Sequence, residues 1–227
     1  MDLFHQPDLQ KGRTCGSPFN NLKKFFFTLL HRRFHRLKKG NELGADMTDQ
    51  SRMRAVVFDG SLRVVDDYPV PELRPGWARI HIQTAGICKT DMELLKGYKG
   101  FKGVLGHELI GVVDACDQKE WIGKKVVGEI NAACGHCEWC RKGLGRHCPA
   151  RTTLGIVSHD GCMADYCILP VSNLIEIPSD VSDDRAVFTE PLSAACEIIE
   201  QLKLTGSERV IVLGDGRLGI LCAWALS

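Results

Sequence analysis

From Met53 onward the chain is punctuated. Five short runs are rich in β-branched and apolar residues: MRAVVFD (53–59), ARIHIQT (78–84), LIGVVDAC (109–116), KKVVGEI (124–130) and MADYCIL (163–169). Segments bearing Gly or Pro separate them. Short strands divided by turn residues predict an all-β, barrel-like domain. After Pro178 the period changes. Across Glu190–Leu204 apolar residues fall at 192, 195, 196, 199 and 202, the spacing of one helix face. Thr189 is placed to cap this helix, and Pro191 suits its first turn. Val210–Leu213 then reads as a buried strand, followed by a glycine turn and the start of an apolar helix. The pattern predicts a β-rich body followed by the opening of an α/β unit.

Residues 1–46 lack this texture. Leu22–Lys39 is a short apolar patch fenced by basic residues. The leader carries 9 Lys/Arg against 4 Asp/Glu, while the remaining 181 residues carry 20 against 24. One reading is a transit segment for a plastid or mitochondrion, since such segments are basic and poor in acids. They are also Ser-rich, and Ser17 is the only serine before residue 51. That favours a disordered extension, with the working protein starting near Met47 or Met53 in the cytoplasm. The acidic body argues against a nucleic-acid partner. No apolar run reaches the length that spans a bilayer, so no membrane partner is expected. At 44% hydrophobic and 25% charged, the chain is neither wholly disordered nor collagen-like.

Eleven cysteines are an odd count, so complete intrachain pairing is impossible. No secretory signal opens the chain, and the reading is a reducing compartment with cysteines kept for metal. Cys134, Cys137, Cys140 and Cys148 lie on one stretch in the spacing C-x2-C-x2-C-x7-C. Four thiolates so placed can close a tetrahedron round zinc with no position left open, a structural role. His136 and His147 could compete, but thiolate outranks imidazole in such a site. Cys15, Cys116, Cys162, Cys167, Cys196 and Cys222 share no spacing and read as small core or surface residues.

A looser set flanks two predicted strands, after the end of one and at the opening of the other. Cys88, Thr90 and Asp91 follow Gly86, and His107 and Glu108 follow Gly106. One thiolate, one imidazole and one carboxylate can hold zinc and leave a place for water or an alcohol. Gly214-Asp215-Gly216-Arg217-Leu218-Gly219 lies between a predicted strand and a helix, the context of a dinucleotide phosphate turn. A turn that only packs a helix on a sheet is the alternative.

In this order, the Cys-x-Thr-Asp segment, the Gly-His-Glu segment followed by Gly111, and the cysteine quartet resemble the zinc-dependent medium-chain alcohol dehydrogenase superfamily. The nearest likeness is to its threonine/polyol dehydrogenase branch. The resemblance covers about residues 53–227. It implies a mixed β and α/β fold: a GroES-like β-barrel catalytic domain over 53–180, then the beginning of a Rossmann dinucleotide-binding domain over 181–227, after a basic extension over 1–52. It implies a catalytic zinc held by Cys88 and His107, with Glu108 and Glu190 as further ligands, and a structural zinc on the quartet. Capping of a helix start is the alternative role for Glu190. Thr90 would pass the substrate proton outward, and Asp91 would orient the ligating histidine. Gly214, Gly216, Leu218 and Gly219 would meet NAD or NADP. Glu93 stands where many relatives carry a histidine that extends the relay. The implied reaction is hydride transfer between a small alcohol or polyol and the nicotinamide, with a homo-oligomer expected for a full-length form. The acid that would contact the ribose falls beyond Ser227. The expectation is therefore an incomplete nucleotide domain with little or no activity in these 227 residues. The rival readings are a non-catalytic zinc-binding remnant and a redox or nucleic-acid-binding zinc module.

Overall fold

A computed structural model describes residues 51–227. The leader, and both readings of it, lie outside the described residues. Strand β1 (Arg52–Phe58) runs antiparallel to β2 (Leu62–Pro69) on one side and to β4 (Gly103–Val104) on the other. Met53, Ala55 and Val57 are buried while Arg52 and Arg54 are exposed, the period of two that a half-buried strand requires. The second sheet has five antiparallel strands, in the order β10 (Leu174–Glu176), β6 (Lys125–Gly128), β5 (Leu109–Cys116), β3 (Trp77–Ala85), β9 (Tyr166–Pro170). A two-stranded ladder, β7 (Asn131–Ala132) with β8 (Thr152–Thr153), stands apart.

Each of the five apolar runs contains a strand, but the expected barrel is not closed by a continuous ladder. Met163–Asp165 is the reason. This segment is shared between the sheets, with Ile82 N–H of β3 donating to the Asp165 carbonyl at 2.9 Å while the rest turns to β1. Val56 N–H donates to the Met163 carbonyl at 2.8 Å, Asp165 N–H donates to the Arg54 carbonyl at 3.0 Å, and Ala55 bridges Ala164. The main core gathers Ala78, Ile80, Leu109, Val113, Val126 and Leu169. Each of the Ile, Leu and Val side chains among them contributes about 1.5–3 kcal/mol on burial. Strand β5 is buried on both faces. Leu109 and Val113 face the main core, and Ile110 packs with Val127, Ala186 and Val187.

That second contact docks the short helix α3 (Asp183–Ala186) on the back of β5, and α4 (Thr189–Leu202) begins three residues later. Thr189 does not cap α4. Phe188 occupies that position, and Thr189 is already helical, its hydroxyl donating to the Ala186 carbonyl at 2.7 Å. The short helix runs directly into the long one, so its free carbonyl takes the hydroxyl. Val210–Leu213 is not a strand. Ile211 is 83% and Leu213 93% exposed, and no strand among the described residues lies beside them. The helix expected after the glycine turn is present as α5 (Arg217–Ala225) and packs against α4.

Candidate metal centre

The pairing of β3 with β5 builds the dispersed set. Ala85 lies opposite Leu109 at the end of the ladder. The chain leaving β3 (Gly86, Ile87, Cys88) and the chain entering β5 (Gly106, His107, Glu108) therefore sit side by side. Gly86 N–H donates to the Glu108 carbonyl at 2.8 Å and adds one more rung. A Cβ on Gly86 would strike the Glu108 carboxylate, so only glycine leaves room for it. Ligand atoms of Cys88, His107 and Glu108 consequently lie within 4.8 Å of one another.

Helix α1 (Lys89–Leu94) starts at this point, with Cys88 as its N-cap. Asp91 in its first turn accepts the Cys88 N–H at 2.8 Å. The other Asp91 oxygen stands 3.4 Å from His107 Nδ1, and the two side chains are only 3% and 2% exposed. Neither of these two atoms has a hydrogen-bond partner of good geometry. Thr90 Oγ1 lies 3.6 Å from Cys88 Sγ. Burial opposes a charge on His107, but Asp91 and Cys88 outweigh it and hold the imidazole up to about 10. Burial also raises Glu108, against the charges of His107 and Arg217 and a hydrogen bond from Cys88.

These residues fit a metal. Sulfur, nitrogen and oxygen converge, and two buried polar atoms beside them lack partners, a costly arrangement without a cation. A divalent ion would take the thiolate and the neutral imidazole, with Asp91 fixing the ring. Glu190 is not brought within ligand distance of this group. It is half-buried in the first turn of α4, where burial raises its pKa and His107 and Glu108 act on its charge.

Sequence reasoning missed how the His107 loop is held. Gly106 has φ +96°, which favours glycine. Gly155 and Gly161 press on it so closely that a Cβ on either would strike the Gly106 carbonyl, and one on Gly161 also the Leu105 carbonyl. Cys162 N–H donates to the Gly106 carbonyl at 2.9 Å, and its buried thiol donates to the Glu108 carbonyl at 3.4 Å. The only signal in the sequence was two isolated glycines, which mark close backbone approach.

The quartet is gathered by one loop, in which Cys137 is the N-cap of the short helix α2 (Glu138–Arg141) and Cys140 lies within it. Cys137 Sγ lies 3.4 Å from Cys140 Sγ and 3.7 Å from Cys148 Sγ, and Cys134 Sγ lies 3.9 Å from Cys140 Sγ. A disulfide would bring two sulfurs to about 2 Å, whereas four sulfurs about 2.3 Å from one zinc stand ~3.8 Å apart. Backbone N–H groups of His136 and Cys137 draw the Cys134 thiol down to about 6, while desolvation and the neighbouring Cys137 push Cys140 up to about 11. Four sulfurs this close cannot all ionise without a cation among them. His136 is turned away, its Nδ1 2.8 Å from the Cys134 carbonyl.

In the glycine turn Gly214 has φ +116°, and a Cβ on Gly219 would strike the Gly214 carbonyl. Gly216 is the N-cap of α5 with open space before it, and Leu218 is exposed. Arg217, the first residue of α5, donates from Nη1 to the Ile87 carbonyl at 2.9 Å. Nothing in the sequence pointed to this contact.

Residues 74–179 match the family described as alcohol dehydrogenase GroES-like domain. L-threonine 3-dehydrogenase of Mesorhizobium japonicum is 35% identical over 169 residues, covering 70% of this chain and 48% of that one. The chain spans about half the length of the curated relatives it matches. Among solved structures, alcohol dehydrogenase TADH of Thermus sp. ATN1 is 32% identical with a TM-score of 0.68, over 75% of this chain and 53% of that one. The alcohol dehydrogenase rspB of Escherichia coli CFT073, complexed with NADH, is 29% identical with a TM-score of 0.72, over 78% and 53%.

Proposed function

Because the chain belongs to the zinc-dependent medium-chain alcohol dehydrogenase superfamily, in its threonine/polyol branch, we propose that it serves as the catalytic part of an alcohol or polyol dehydrogenase. The observation that carries this is the meeting of Cys88, His107 and Glu108 within 4.8 Å. Zinc on these three residues would supply a Lewis acid that polarises a substrate hydroxyl and lowers its pKa. NAD or NADP, on the turn of Gly214, Gly216, Leu218 and Gly219, would accept the hydride.

The chain's own groups do the rest. Asp91 grips the Cys88 backbone and faces His107 Nδ1, fixing thiol and imidazole together. Thr90 would take the hydroxyl proton and pass its own outward, a role supported by its Oγ1 lying 3.6 Å from the Cys88 sulfur. Glu108 would be the third ligand or exchange on and off the ion, and Glu190, outside the ligand group, would act on the site through its charge. Cys134, Cys137, Cys140 and Cys148 would hold a second, structural zinc that ties their loop together.

The substrate class is a small secondary alcohol or polyol, as the name of the threonine relatives supports. The acidic balance of residues 47–227 supports the absence of a nucleic-acid partner. Among the described residues no helix is long and apolar enough to cross a membrane. Thiols kept for metal fit a reducing, cytoplasmic setting, and the full-length form is read as a homo-oligomer.

The test is turnover by the full-length, zinc-loaded protein on a panel of secondary alcohols and polyols with NAD or NADP. Reduced cofactor should accumulate, and Cys88→Ala should abolish it while the quartet keeps its zinc. A folded, zinc-loaded protein that is silent across the panel contradicts the proposal.

A further inference from the structure

We infer that Arg217 is a positioning residue that ties the glycine turn to the loop carrying Cys88, so that the metal set keeps its geometry only while the turn is docked against it. The inference rests on the metal reading above.

Its basis is a single peptide unit. The Ile87–Cys88 peptide is gripped at both ends. Its carbonyl accepts from Arg217 Nη1 at 2.9 Å, and its N–H donates to Asp91 Oδ2 at 2.8 Å. A peptide held at both dipolar groups cannot rotate about its flanking bonds, so the direction in which Cys88 leaves the backbone is set. Two anchors from different parts of the chain share this task. Asp91 is three residues from Cys88, whereas Arg217 reaches Ile87 across 130 residues.

The Glu108 carboxylate lies over Gly86, the residue before Ile87, so the strand end that Arg217 grips packs against the second ligand loop. Arg217 projects from the first turn of α5, immediately after Gly216. The alternative role for a cation there is contact with a dinucleotide phosphate alone. That role predicts no effect on the metal set.

The experiment follows zinc release from the zinc-loaded protein into an excess of chelator. Wild type should release zinc in two kinetic classes, and Cys88→Ser should lack one of them. Arg217→Met removes a charged hydrogen bond and should speed that same class about tenfold. Arg217→Lys, which keeps one charged donor, should fall between. The class that survives Cys88→Ser should be unchanged in both variants.

If Cys88→Ser removes no class of zinc, the functional reading itself fails. If it removes one and Arg217→Met releases it at the wild-type rate, this inference fails alone. A variant that weakens NADH binding without touching zinc release makes Arg217 a phosphate contact and overturns the inference. Equal acceleration of both classes marks general loosening and overturns it too. Should Arg217→Met not fold, Arg217→Lys carries the same comparison.

Discussion

The quartet gathers Cys134, Cys137, Cys140 and Cys148 from a single loop, whereas Cys88, His107 and Glu108 meet only because β3 and β5 share a register. The difference lies in what holds each together. The loop needs little beyond its own turns, such as the Arg141 N–H to Cys137 carbonyl bond at 3.0 Å, and Cys134, Cys137 and Cys140 stay partly exposed. The dispersed set needs the sheet, the glycine packing behind Gly106 and two clamps on one peptide. Disturbance of the sheet should therefore reach the second set and spare the first.

The largest effect is expected at Gly161. Gly161→Ala drives a methyl group into the Leu105 and Gly106 carbonyls, both backbone atoms that cannot swing aside. Overpacking of this kind costs about 1–3 kcal/mol. Urea unfolding should show that loss, and metal analysis should show zinc missing from the dispersed set alone. Unchanged stability with both zinc ions retained would break the comparison.

Next comes Asp91→Asn. The substitution keeps size but removes the charge facing His107, with both side chains almost fully buried. Partners that orient a metal-bound histidine are worth about 10–100-fold in affinity. Competition with a chelator should register that loss at the dispersed set and none at the quartet. An equal loss at both would mean that the two sets are coupled.

The smallest effect concerns acid. Burial, aided by the charge of Arg74, depresses the His159 pKa against the pull of Asp160 and the bond to the Ile168 carbonyl. The unfolded chain, with a histidine near 6.5, therefore takes up the proton first. Stability from this residue is complete above that pH and falls as acid is added through it. His159 also supports the glycine packing, since its carbonyl accepts the Gly155 N–H at 2.9 Å. Urea midpoints at pH 7.5 and 5 should fall further apart in wild type than in His159→Gln. An equal gap between the two midpoints in both proteins would remove His159 from the account.

What the sequence made legible follows the same division. Quartet spacing is a local property and could be read directly. The five strand cores were readable too, because β-branched residues between turns carry the signal. Strand β2 was not, since Asp66 and Asp67 interrupt its apolar texture and much of it faces solvent. Val210–Leu213 misled in the opposite direction. A strand is made by its neighbours, and the same apolar texture that buries Ile80 completely leaves Ile211 exposed where no partner pairs with it. Cys88, His107 and Glu108 were legible only as a loose set of donor types, which the resemblance joined on one zinc, because nothing local announces that positions 88 and 107 meet. The clamp by Arg217 and the press of Gly155 and Gly161 depend on register over long separations, which no local pattern encodes.

The central claim is two separate metal sets in one small body. Zinc content measured on purified wild type, Cys88→Ser, Cys134→Ser and the double variant tests it most directly. The account predicts two zinc ions per chain in wild type, one in each single variant and none in the double. A Cys88→Ser protein that keeps both ions, or a Cys134→Ser protein that is folded yet holds none, would contradict it.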